Sequence, residues 1–86
     1  MKYAVYDTKD EAEKVSKQLG SDVVKGRVWD LYSPVVDMPD GKFGFYVITE
    51  GVLSADHLLD EGTETVEVSE HLLTPEEISN IQEDDG

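Results

Sequence analysis

The stretch WDLYSPVVDMPDGKFGFYVI, residues 29–48, decides the fold that this sequence predicts. Aromatic and β-branched side chains alternate with a period of two in its two arms, residues 28–32 and 43–48, as they do in strands. Between the arms, residues 39–41 read Pro-Asp-Gly: proline fixes φ, aspartate favours a turn and glycine accepts positive φ. The stretch therefore predicts a β-hairpin. Because Pro34 cannot donate to a ladder, we expect the first arm to be irregular or to lie at a sheet edge.

The alternation in this hairpin assigns its aromatic residues to two sides. We expect Trp29, Phe43 and Phe45 to pack on the apolar side of a helix. Tyr32 and Tyr46 are predicted on the opposite side, where they are candidates for a partner contact or a dimer interface; we call them the aromatic face.

The residues before the hairpin predict a strand and a helix. Alternation over residues 3–6 indicates a first strand. Thr8, followed three residues later by Glu11, forms a capping box that begins a helix over residues 9–19, and Gly20 is expected to end it. The apolar side of this helix consists of Ala12, Val15 and Leu19.

The second half of the chain predicts three short elements. Residues 54–59 are expected to form a short helix closed by Gly62, with Leu53, Leu58 and Leu59 facing inward. Residues 63–69 alternate as a strand whose wet side carries Thr65 and Glu67. A second capping box, with Pro75 at the first helical position, predicts a short helix that begins after Thr74 and includes Glu77.

The order of these elements predicts one small α+β domain. We expect residues 1–82 to form an antiparallel sheet with a central hairpin and two or three short helices packed on it, and residues 83–86 to be a frayed acidic tail. The 86 residues include no cysteine, which excludes disulfides, thiolate zinc sites and thiol nucleophiles and suits a reducing compartment. No apolar segment is long enough to span a membrane, so we expect a soluble, cytoplasmic protein.

The charge of the chain is divided unevenly between its halves. The net charge is −13. All seven Lys and Arg residues lie at or before Lys42, where they accompany eight acids, whereas residues 43–86 contain twelve acids and no Lys or Arg. Direct binding of nucleic acid is therefore not expected, because affinity for a polyphosphate depends on protein cations.

The sequence shows no pattern that predicts catalysis or a cofactor. The segments Ser54-Ala55-Asp56-His57 and Ser69-Glu70-His71 contain triad residue types, but neighbours in sequence point in different directions. The residues around Gly41 do not fit a calcium loop, and no phosphate-binding loop is present. We therefore predict no catalytic, cofactor or metal residues and a protein that is not an enzyme.

The first half of the chain resembles short, uncharacterised proteins encoded by phages and prophages. The resemblance covers roughly residues 1–49 and rests on the helix start at residues 7–12, on Trp29, Tyr32 and Pro34, and on the turn and Phe43 that follow. Some proteins of this kind are encoded among virion or tail-assembly genes. The resemblance implies a phage origin and a place in the host cytoplasm, and it implies no catalytic residue.

Two interpretations of the acidic half remain open. In one, its charge only keeps a small protein soluble and monomeric. In the other, a negative surface docks on a basic, possibly nucleic-acid-handling host protein in the manner of a DNA mimic, so that the chain acts as an inhibitor or adaptor. The carboxylates of that surface would be Asp56, Asp60, Glu61, Glu64, Glu67, Glu70, Glu76 and Glu77. A further alternative is a virion or tail-assembly accessory protein that associates through the aromatic face.

Overall fold

The computed structural model of the protein describes residues 1–23 and 31–82. In chain order the elements are β1 (Lys2–Tyr6), α1 (Lys9–Val23), β2 (Val35–Asp37), β3 (Phe43–Tyr46), β4 (Glu64–Glu67) and α2 (Pro75–Gln82). A single 3₁₀ turn at Asp56–Leu58 lies between β3 and β4. The four strands form one antiparallel sheet in the order β2-β3-β1-β4. The predicted α+β class is confirmed.

The predicted hairpin is present, but its first strand begins later than the sequence indicates. β2 pairs with β3, with Val35 opposite Phe45, and the turn between them contains Gly41 at φ 77°. Pro34 precedes β2, which lies at an edge of the described sheet. Residues 31–33 are outside the ladder, so the strand predicted over residues 28–32 is wrong there. The remainder of that predicted strand, residues 28–30 with Trp29, lies outside the described residues. So does the predicted tail at residues 83–86.

Helix α1 begins as predicted and ends later. The hydroxyl of Thr8 accepts a hydrogen bond from the Glu11 amide at 3.2 Å. The helix then continues through Gly20 to Val23, so the prediction that it ends at Gly20 is wrong. Gly20 is buried within the helix. The helix thus continues through a glycine that is less favourable than alanine in a helix by roughly 1 kcal/mol.

The sheet carries a core on each side. On the α1 side, Ala12 and Leu19 of the helix pack with Ala4, Phe45 and Val47 of the sheet and its continuation. Phe43 and Val15 are partly buried against this cluster, which confirms the packing predicted for them. The opposite side holds a smaller cluster of Tyr3, Val5 and Met38.

The predicted aromatic face does not form. Tyr32 is 1% exposed. Its hydroxyl donates to the carbonyl of Leu53 and accepts from the amide of Ile48, both at 2.9 Å, and its ring lies edge-on to Phe45 at 6.4 Å between centroids. Residues 31–33 do not belong to a strand, so period-two alternation does not decide which way Tyr32 points.

Two buried serines join α1 to the segment that precedes β2. The Ser16 hydroxyl donates to the carbonyl of Ser33 and accepts from its amide, both at 2.9 Å. The Ser33 hydroxyl in turn accepts from the amide of Tyr46 at 3.1 Å. Both serine residues are 0% exposed. This contact, which we call the serine clasp, satisfies backbone groups that a strand ladder would otherwise have to satisfy.

The second half confirms the last helix and revises the one before it. The predicted helix at residues 54–59 is reduced to the 3₁₀ turn, which is too short to bury an apolar side. Leu53 is 4% exposed, as expected, whereas Leu58 is 38% exposed, so its predicted inward position is wrong. At α2, the Thr74 amide donates to the Glu77 carboxylate at 2.9 Å, and the Glu77 amide donates to the Thr74 hydroxyl at 3.1 Å. This is the predicted capping box.

Candidate acidic interaction surface

Strand β4 is an exposed edge of the sheet. Its neighbour is β1, and within residues 1–23 and 31–82 no strand pairs with its outer side. Glu64, Thr65 and Glu67 are exposed, and only Val66 is half-buried, against the cluster around Tyr3. The predicted strand with a wet side is therefore confirmed, at Glu64–Glu67.

The carboxylates of β4 lie along one edge but on two sides of the sheet. Glu64 is opposite Val5, and Glu67 is opposite Lys2. Because side chains alternate along a strand, residues three apart point to opposite sides. A partner that covers one side of the sheet cannot contact both carboxylates, whereas a partner that lies along the edge can.

One group of carboxylates lines an open cleft of about 450 Å³ beside the end of β1. Glu11, whose amide donates to the Thr8 hydroxyl, lies at its rim. A turn in which the Thr63 amide donates to the Asp60 carbonyl at 3.0 Å forms another part of its wall. We define this acidic cleft by Tyr6, Asp7, Glu11, Asp60 and Glu64.

Lys42 partly neutralises the acidic cleft. Its ammonium nitrogen lies 3.0 Å from Glu64 Oε1 and 3.8 Å from Asp7 Oδ1. The hydrogen bond to Glu64 and the charge of that carboxylate raise the pKa of Lys42 above its ordinary value. All three side chains are solvent-accessible, so salt weakens this attraction.

The hydroxyl of Tyr6 lies beneath this cleft. Among the described residues it is the one buried side-chain polar atom without a hydrogen-bond partner of standard geometry. Burial raises the pKa of Tyr6; the neighbouring Thr63 hydroxyl opposes the shift, and the carboxylates of Glu11 and Asp60 add to it because they would repel a phenolate. The Tyr6 phenol is thus held in its neutral form.

The other predicted carboxylates are not gathered with Asp60 and Glu64. Asp56 is half-buried and accepts a hydrogen bond from Ser54 at 3.3 Å. Glu77 is half-buried and belongs to the α2 cap. Burial raises the pKa of Tyr3, and the nearby Glu77 carboxylate adds to that increase. The carboxylates of Glu61, Glu70 and Glu76 are exposed.

Tyr46 is half-buried and packs against the Tyr3 cluster, on the side of the sheet opposite α1. Its ring lies 5.6 Å from that of Tyr3 and 4.6 Å, edge-on, from the ring of His71. The Tyr3 hydroxyl accepts from the amide of Leu72 at 2.9 Å and lies 3.4 Å from His71 Nδ1. These contacts attach the segment after β4 to the sheet.

Three arrangements are absent from the described residues: a group of metal ligands, a serine–histidine hydrogen bond and a helix of membrane-spanning length. Across residues 1–23 and 31–82, no group of three or more His, Asp or Glu side chains could hold a metal ion. In the same ranges, neither Ser54 nor Ser69 hydrogen-bonds a histidine. No helix in this part of the chain has the length and apolar character needed to cross a bilayer.

Sequence reasoning missed Asp7 and Glu11 of the acidic cleft, and it missed Lys42, which pairs with two of its carboxylates. Asp7, Glu11 and Lys42 come from the near-neutral half of the chain, and the cleft forms because β1 pairs with both β3 and β4. The capping box could have placed Glu11 at the end of β1. Nothing in the local sequence indicates that β4 pairs with that strand. Comparison with known protein families, curated proteins and solved structures finds no match to this chain.

Proposed function

We propose that the protein is a small acidic, non-enzymatic binding module that docks on a basic surface of another protein as an inhibitor or adaptor. The observation that carries this proposal is the exposed edge strand β4, which belongs to a half of the chain with twelve acids and no Lys or Arg. The acidic cleft extends the same negative charge onto α1 and the end of β1. Complementary charge speeds encounter and selects the partner.

The partner class follows from this charge. A surface that repels polyphosphate attracts the proteins that bind polyphosphate, so a basic nucleic-acid-handling protein is the target we propose. The proposal includes action in a host cytoplasm after expression from a phage genome, a part that rests on the resemblance of residues 1–49 to short phage proteins.

The test compares two variants that change the net charge equally. In the first, Glu64→Gln, Glu67→Gln and Glu70→Gln remove three charges at and after β4. In the matched control, Asp10→Asn, Asp22→Asn and Asp40→Asn remove three exposed charges of the first half. Binding to a panel of purified basic DNA-binding proteins is measured by interferometry at 50 mM and 500 mM salt.

We expect at least one member of the panel to bind at low salt and be released at high salt, because exposed charges are screened. The first variant should weaken that binding strongly and the control only slightly. Equal weakening in both variants would mean that net charge alone acts. Unchanged binding in the first variant would refute the proposed surface.

The alternative of a virion accessory that associates through the aromatic face receives no support from the described residues. Tyr32 is buried and Tyr46 packs against Tyr3 and His71, so these two side chains do not form an exposed patch.

A further inference from the structure

The outer edge of β4 presents unpaired backbone groups at known positions. The Val68 amide donates to the Met1 carbonyl at 2.9 Å. Opposed residues of an antiparallel ladder alternate between hydrogen-bonded and non-bonded pairs, so Glu67 and Thr65, opposite Lys2 and Ala4, are in non-bonded pairs. Their N–H and C=O groups therefore point away from β1. In the described part of the chain, nothing hydrogen-bonds to them.

This edge is a poor template for a second copy of the same strand. In an antiparallel pair of two β4 strands, residues that face outward must lie opposite residues that face outward. A pairing centred on Glu67 therefore places the two Glu67 side chains directly opposite each other, and a pairing centred on Val66 places them as diagonal neighbours on the same side of the sheet. Like charges directly opposite each other destabilise a strand pair. The negative charges on this edge therefore disfavour pairing with a second copy of β4. They favour a strand that carries positive charge opposite Glu64 and Glu67.

We propose that β4 accepts an added antiparallel strand from a basic partner protein. This inference rests on the proposed function and specifies how the acidic surface engages its partner. The added strand forms backbone hydrogen bonds with Thr65 and Glu67, and its side chains face Glu67, Val66, Thr65 and Glu64 in turn. The complementary order is a basic residue, an apolar residue, a β-branched residue and a second basic residue, three positions after the first. Glu64 has one oxygen engaged by Lys42, and its second oxygen is available to the partner.

The experiment uses the full chain and a blocked eight-residue peptide centred on lysine-valine-threonine-lysine. Two matched peptides carry the same charge. N-methylation of the first lysine and the threonine blocks the amides that would face β4, whereas N-methylation of the valine and the second lysine blocks the amides that face away. Affinity is measured by calorimetry at low salt, and amide hydrogen exchange is followed by NMR.

A pair of protein variants provides an independent test. Thr65→Pro removes one outward N–H, a change that an edge strand tolerates, and Thr65→Val retains it. Circular dichroism checks that both variants fold. We expect Thr65→Pro to weaken peptide binding about 3- to 10-fold, the effect of one lost hydrogen bond, and Thr65→Val to leave it unchanged.

The expected result is binding by the unmodified peptide and by the outward-methylated one, loss of binding by the inward-methylated one, and slower exchange at Thr65 and Glu67. Equal affinity of all three peptides, with salt-sensitive binding, would overturn strand addition and leave the acidic surface in place as a purely electrostatic site. Absence of any binding at low salt would overturn strand addition and also count against the proposed function.

Discussion

Replacing Ser16 by alanine tests the serine clasp, the contact that positions the segment before the hairpin. The substitution removes one buried oxygen atom and leaves the amide and the carbonyl of Ser33 without partners, two groups that Ser16 now satisfies at 2.9 Å each. An unsatisfied buried backbone group costs about 1–3 kcal/mol. The higher helix propensity of alanine returns up to ~0.5 kcal/mol. For two such groups, the expected net loss is about 1.5–5.5 kcal/mol in the free energy of unfolding, a large part of the ~5–15 kcal/mol typical of a domain.

The assay is urea unfolding followed by far-ultraviolet circular dichroism at neutral pH. Ser21→Ala is the matched control, since Ser21 lies on the same helix and is exposed. We expect the control to change the free energy of unfolding by no more than ~0.5 kcal/mol. The slope of the free energy against urea concentration should be the same in both variants, because the substitution changes stability and not the surface exposed on unfolding.

A Ser16→Ala variant within ~0.5 kcal/mol of the parent protein would refute this reasoning. Such a result would mean that water reaches Ser33 and satisfies its backbone groups, so that the clasp is not the contact that holds residues 31–34 against α1. An equal loss in Ser21→Ala would instead assign the effect to the helix as a whole.

Two further predictions concern Gly44 in β3 and the buried Tyr32. Gly44→Ala should lower the thermal midpoint of unfolding by several degrees, because the added Cβ would lie 2.6 Å from the Ala4 carbonyl oxygen. The control Gly62→Ala should leave the midpoint unchanged, since nothing lies within 4 Å of its Cβ. Equal midpoints in the two variants would contradict the close packing of β1 and β3. Burial raises the pKa of Tyr32, so its contribution to stability is complete below the unfolded pKa of about 10 and is lost as pH rises toward the folded pKa. The free energy of unfolding, measured in urea, should therefore be lower at pH 11 than at pH 8 by at least ~1 kcal/mol. In Tyr32→Phe the decrease between the same two pH values should be smaller. A free energy of unfolding that does not change with pH would refute this.

Elements that depend on contacts within a few residues were predictable. The capping box at Thr74 forms with both of its hydrogen bonds, and at Thr8 the bond from the Glu11 amide to the Thr8 hydroxyl forms, because each joins groups three residues apart. The turn at Gly41 and the wet side of β4 follow equally from local chemistry and from alternation. The uneven charge is a property of composition alone, so the predicted acidic half carries over directly into an acidic edge strand.

Elements that depend on distant contacts were not predictable. The side on which Tyr32 lies, the end of α1 beyond Gly20 and the start of β2 are all decided by packing between segments far apart in sequence, through Ser16 and the core on the α1 side of the sheet. The gathering of Asp7 and Glu11 with two carboxylates of the acidic half depends in the same way on the pairing of β1 with β4.

The sequence by itself thus determined the class of fold, the helix starts, the hairpin turn and the sign of the surface charge, because each is set by composition or by interactions within one turn of the chain. Only the tertiary structure decided that β4, with Glu64 and Glu67, pairs with β1 and lies at an edge of the described sheet. Strand order is chosen by burial and backbone pairing across some sixty residues of chain, and neither leaves a local pattern that the sequence alone reveals.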